Sequence, residues 1–214
     1  MKYIYTFSKN QRVQYVSHLD TLRVFERAMR RAKLPTAYSQ GFHPHPLITF
    51  AQPLGVGISS NGELVEIVFD RPLSEEEQKR FRASMPEGFR LLKYWENEKK
   101  SPFAALEIAA YEIQLATPIS QQMIDDFLNQ DEIMMLKHSK KGEKQVNIRP
   151  MIYRLELAAT GEASVLMAWL KAGQPSLKPE LLMQALEQAA QCGPLVLRTI
   201  CRTALLDRNG QPIG

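Results

Sequence analysis

The sequence predicts an α+β protein made of two consecutive units of the same build. Three observations carry that expectation. Short runs rich in β-branched and aromatic residues alternate apolar and polar with a period of two. Between them lie capped stretches whose apolar residues return every three or four positions. The order strand, helix, strand, strand, helix, strand is met before a charged, proline-ended stretch at 96–102 and recurs after it. That order is the ferredoxin-like βαββαβ arrangement, here expected in tandem, with a first domain at 1–96, a linker at 97–109 and a second domain at 110–214.

In the first domain, Tyr3, Tyr5 and Phe7 alternate with Ile4 and Thr6, giving strand one, and Val13 to Val16 reads as a short continuation after a polar turn. Ser17 opens a helix, with Asp20 three residues on completing a capping signal at its positive end. Leu22, Phe25, Met29 and Ala32 form the inward stripe, and Pro35 ends the helix. Pro44 and Pro46 stiffen the chain into a second strand at 47–51, whose prolines suit a sheet edge. Residues 53–62 read as a long connector, 63–69 as strand three, 75–84 as a helix opened by Ser74, and 89–95 as strand four.

The second domain repeats the order, with strands at 111–116 and 133–137, a helix at 119–128, a strand pair at 149–158 and 163–170, a helix at 178–191 and a last strand at 195–206. Residues 138–146 are an insertion. Around it Lys137, Lys140, Lys141, Lys144 and Arg149 face only Glu143, with a glycine at the expected hairpin tip. This basic arm is either a phosphate-contacting loop or a solvated hairpin whose lysines guard its edge.

Composition narrows the function classes. The 214 residues are 44% hydrophobic and 23% charged, which supplies a core and excludes wholesale disorder. A formal charge of +4 permits anionic partners without requiring them. Cys192 and Cys201 match no disulfide framework and no zinc or iron–sulfur spacing. No apolar run approaches the roughly 20 residues that span a bilayer, so a cytoplasmic protein without membrane contact is expected. The Walker loop, the dinucleotide fingerprint and the G-x-S-x-G elbow are missing, and no cofactor is expected.

The candidate site lies between Ser17 and Pro46. Arg23, Arg27, Arg30 and Arg31 form a basic strip along the first helix, suited to bidentate phosphate or carboxylate contacts. Ser39, Gly41 and Phe42 lead into His43 and His45, with Gly41 supplying backbone freedom for a turn or a close approach. His18, at the first helical position, is either an acid–base group or a residue packed against the cap. His18, His43 and His45 offer three nitrogens, yet no carboxylate or cysteine stands at a ligand-like spacing nearby, so no metal is assigned.

The runs YVSHLDTLRVFERAMRRAKLP, YSQGFHPHPLITFAQPLGVG and VNIRP resemble a radical-SAM-linked bacterial family of unknown function, whose members are fused to, or encoded beside, cobalamin-type radical SAM proteins. Ser17, His18, Asp20, Arg23, Arg27, Arg30 and Arg31 match its first motif, Ser39, Gly41, Phe42, Pro44, His45 and Pro46 its second, and Arg149 and Pro150 its third. Two positions depart: His43 stands where the family often has asparagine, which weakens a metal role, and Asn147 where it has aspartate. The resemblance implies a radical SAM protein as partner, which would own the cluster chemistry, since this chain lacks three closely spaced cysteines.

These readings lead to an RNA-binding or substrate-presenting accessory protein acting with a radical SAM enzyme in RNA modification or translation-related metabolism. Arg23, Arg27, Arg30, Arg31, Lys140, Lys141, Lys144 and Arg149 would contact phosphates, Phe42 and Tyr38 would stack on bases, and Ser39, Gly41, His18 and His45 would give local contacts. Two alternatives stand beside it: a metal-independent endoribonuclease using His18, and a protein-binding adaptor for the radical SAM partner.

Overall fold

A computed structural model describes residues 1–139, 142–190 and 194–213. The chain divides into two compact units, Met1–Leu106 together with Ile213, and Glu107–Pro212. Each is α+β and mostly antiparallel.

In the first unit β1 (Lys2–Lys9), β2 (Ile48–Phe50), β3 (Ile58–Val68) and β4 (Phe89–Glu96) form a sheet in the order β4-β1-β3, with β2 on the far side of β3. Helices α1 (His18–Arg31) and α2 (Glu75–Ala83) complete it. The period of two sets the register: Tyr5 lies opposite Val65 and Phe7 opposite Glu63, so residues 3, 5 and 7 share a face with 63, 65 and 67. That face meets Phe25, Ala28 and Met29 of α1 and Phe81 of α2 to make the core. Edge-to-face contacts link it, with ring centroids 4.9 Å apart for Phe7 and Phe25 and 5.3 Å for Tyr5 and Phe81.

Three local expectations are corrected here. Residues 13–16 form no strand. A 3-10 turn at Gln11–Val13 replaces it, because Asn10 accepts from the Arg12 amide and the buried Lys9 ammonium takes the Gln14 and Val16 carbonyls that a ladder would need. Strand β3 reaches back to Ile58, into the stretch read as connector, because a bulge after Phe7 brings Lys9 opposite Ser60. Helix α1 ends before Pro35 by its own cap: Leu34 donates to the Met29 carbonyl and Lys33 to that of Arg30, both at 3.1 Å, with Lys33 at φ 54.

The second unit orders β10 (Leu197–Leu206), β5 (Ile108–Leu115), β9 (Ser164–Lys171) and β8 (Ile152–Ala159) side by side, all antiparallel. Helices α3 (Gln121–Leu128) and α4 (Pro179–Ala190) add buried Ile124, Phe127, Leu182 and Leu186. The strand expected at 133–137 does not join this sheet. As β6 (Met134–Ser139) it pairs only with β7 (Gly142–Asn147), in a separate two-stranded sheet. The extra segment is thus the whole hairpin, longer than the 138–146 expected.

Candidate functional site

Helix α1 starts as its sequence requires. The Ser17 hydroxyl accepts from the Asp20 amide at 3.1 Å and donates to the Asp20 carboxylate at 2.8 Å, and that carboxylate accepts from Arg23 at 2.8 Å. Both contacts hold the Asp20 carboxyl below its ordinary range, the serine hydrogen bond contributing most. Asp20 is therefore the partner of Arg23, on the exposed surface.

The arginine strip separates by role. Arg31 reaches the Ser84 carbonyl beyond α2 at 2.5 Å and ties the two helix ends together. Arg27 is exposed on the outer face. Arg30 lines a groove of about 670 Å³ with Glu26, Lys33, Tyr38, His45 and Asp70. The C-terminal end of α1 forms one wall and the loop after Tyr38 the other.

That loop is closed on itself. The Ser39 hydroxyl accepts from the His45 amide at 3.1 Å and lies 2.9 Å from His45 Nδ1, while the Ser39 amide donates to the His45 carbonyl at 2.9 Å. Tyr38 and Pro46 bridge beneath it. Gly41 turns the tip at φ 122 with open space around it, so it serves the turn. The tip carries Phe42, fully exposed at 102%. The ring therefore stands in water on a stapled loop, where burial in this chain does not occupy it.

His18 sits elsewhere. Its ring packs edge-on against Phe50 at 5.2 Å and, with Phe7, Lys9, Thr21, Gln52 and Glu63, lines a space of about 10 Å³, the size of one water molecule. Burial lowers its pKa below the ordinary histidine value, partly opposed by the Glu63 charge. The structure thus brings Arg30 and His45 to one groove and leaves His18 outside it. His43 is exposed on the loop. Among the described residues, no three His, Cys, Asp or Glu side chains gather as metal ligands.

In the second unit, Arg149 donates through Nε to the Leu128 carbonyl at the end of α3, at 2.9 Å. Asn147 Oδ1 accepts from the Ile133 and Arg149 amides at 3.1 and 3.0 Å. An aspartate would accept both equally well, so the corner needs an acceptor, whichever of the two supplies it. Lys144 is exposed on β7. Lys140 and Lys141 lie outside the described residues, as does Cys192, and Cys201 is half-buried with its thiol donating to the Arg202 carbonyl at 3.8 Å.

Sequence reading missed three residues. Lys33 lines the groove beside Tyr38, and its positive φ leaves no mark in a sequence. Lys9 and Glu63 are buried beside His18, and here a signal existed: the alternation of 3, 5, 7, 9 and of 63, 65, 67 places both on the core face.

No described helix is long and apolar enough to cross a membrane. Residues 2–179 match the family model described as "Uncharacterized protein conserved in bacteria (DUF2344)". No curated protein matches. Among solved structures, the fold is similar to that of a chain in the crystal structure of a Cbf5-Nop10-Gar1 complex, with 11% identity, TM-score 0.53, and coverage of 95% of this chain and 48% of that one. A chain of the archaeal box H/ACA sRNP Nop10-Cbf5 complex gives 10% identity and TM-score 0.48 over 94% of this chain and 46% of that one. This chain spans about half the length of those it resembles, and at 11% identity the likeness to the Cbf5-Nop10-Gar1 chain is one of fold alone.

Proposed function

The chain belongs to the bacterial family DUF2344, and we propose that it is an RNA-binding or substrate-presenting accessory protein that works with a radical SAM enzyme in RNA modification or translation-related metabolism. One observation carries the RNA reading: the groove that joins Arg30 and Lys33 to Tyr38 and His45, with the exposed Phe42 on the same loop as His45. Two cations and the two carboxylates of Glu26 and Asp70 suit a ligand with both anionic oxygens and amine donors, as a nucleotide has. Phosphates would meet Arg30, Lys33 and Arg27, the base amines would meet a carboxylate, and Phe42 would stack on a neighbouring base. The radical SAM partner is proposed from the motif resemblance alone.

We read both units as ferredoxin-like. The reading is supported by the strand orders β4-β1-β3-β2 and β10-β5-β9-β8, which coincide once the β6–β7 hairpin is set aside as an insertion.

The test is binding of a fluorescein-labelled RNA hairpin with a single-stranded loop, at low ionic strength. Binding is expected, and Phe42→Ala should weaken it by about 1–3 kcal/mol, the worth of one base–aromatic stack. No affinity even at low salt would remove the RNA reading. RNA cleaved in the presence of a chelator, with cleavage lost in His18→Ala, would favour the endoribonuclease instead.

A further inference from the structure

We propose that the groove on α1 selects guanine among the four RNA bases, through the carboxylate of Glu26; the inference rests on the RNA reading of that groove and deepens it. Glu26 and Arg30 stand one turn apart on α1 and line the same groove. A glutamate four residues before an arginine is the spacing at which an ion pair supports a helix. Among the described residues no such pair forms here, although Asp20 and Arg23 on the same helix meet at 2.8 Å. The side chains of Lys33 and Asp70, in the same groove, also make no ion pair or hydrogen bond among the described residues. Charges of both signs thus share one groove without spending themselves on each other. Of its two carboxylates, Asp70 is exposed and Glu26 is half-buried, so water competes less for the oxygens of Glu26.

The chemistry of a carboxylate says which base it takes. It only accepts, through two oxygens side by side. Guanine alone presents two donors side by side on its pairing edge, N1–H and N2–H, and so meets both oxygens at once in charge-assisted bonds. Adenine and cytosine set a bare ring nitrogen beside their amine, and uracil flanks its one N–H with two carbonyls. Each of these turns a lone pair towards the carboxylate, which rejects it as actively as guanine is drawn in. Arg30 and Lys33 remain for the phosphates and offset the acidic charge that a nucleotide would otherwise meet. Met29 and Leu34, which also line the groove, suit the flat faces of a base, and Tyr38, 50% exposed, adds a ring.

The test is fluorescence anisotropy of the full chain with labelled RNA pentamers at low ionic strength. Four share flanking uridines and differ at the centre, which is guanine, adenine, cytosine or hypoxanthine, the last keeping N1–H and lacking the N2 amine. The guanine pentamer should bind about tenfold more tightly than those with adenine or cytosine, the worth of one two-point base contact, with hypoxanthine between them. Glu26→Gln keeps the size of the side chain and removes its charge and one acceptor, so the preference should shrink to about twofold. Asp70→Asn should keep the preference. Equal binding of all four pentamers overturns the inference and leaves the RNA reading standing, whereas no binding of any removes both. Hypoxanthine bound as tightly as guanine, or a preference undiminished in Glu26→Gln, overturns the two-point contact with Glu26.

Discussion

At Glu77 several interactions converge on one carboxylate. It accepts both nitrogens of Arg71 at 2.9 Å and the Ser74 amide at 3.0 Å, completing the capping box of α2. The Arg71 contact, more than the cap, depresses its pKa from 4.5 to about 2. A carboxylate with a depressed folded pKa adds stability that is fully present above 4.5 and is lost as pH falls towards 2. Urea midpoints measured across that window should therefore fall for the native chain, while Glu77→Gln is less stable at neutral pH and converges with it near pH 2. Parallel curves would contradict the assignment. Lys33 is the opposite case, a side chain held where glycine is usual, with φ 54 at the end of α1. Lys33→Gly should gain about 0.5–1 kcal/mol in urea unfolding at constant slope and bind RNA less tightly. A variant no more stable than the native chain would mean that no strain is stored there.

At the level of elements, joints decide more than propensities do. Gly88 precedes β4 with φ 95, and a Cβ there would meet the Val13 methyls at 2.6 and 2.8 Å. The same glycine accepts from the Asn10 amide, which fixes the 3-10 turn against the start of β4. Gly88→Ala should cost about 1–3 kcal/mol, seen as a lower thermal midpoint with the overall fold retained. Arg149 is the corresponding joint of the second unit. Its bond to the Leu128 carbonyl predicts that Arg149→Ala loses about 1 kcal/mol of stability and leaves RNA affinity unchanged. If affinity drops and stability does not, Arg149 is a phosphate contact instead.

Over the whole molecule, the order of elements was legible because Tyr3, Tyr5 and Phe7 alternate while Phe25, Met29 and Ala32 follow a helical spacing, and both periods are properties of the local chain. Partner choice was not legible. Whether 133–137 joined the large sheet, and how far β3 reached back towards Ile58, depended on residues far away in sequence, such as Lys9 opposite Ser60. The candidate site divides the same way. Ser17 and Asp20 announced their cap, whereas the meeting of Arg30 with His45 needed the Schellman end of α1 and the Ser39–His45 closure, neither of which is written in spacing.

The central claim is that this groove contacts RNA phosphates through Arg30 and Lys33. The most direct measurement is the salt dependence of RNA binding for the native chain and for the double variant Arg30→Ala, Lys33→Ala. If each side chain neutralises one phosphate of a single-stranded segment, the slope of log affinity against log salt should become shallower by roughly 1.4. An unchanged slope would place the phosphate contacts elsewhere and contradict the account.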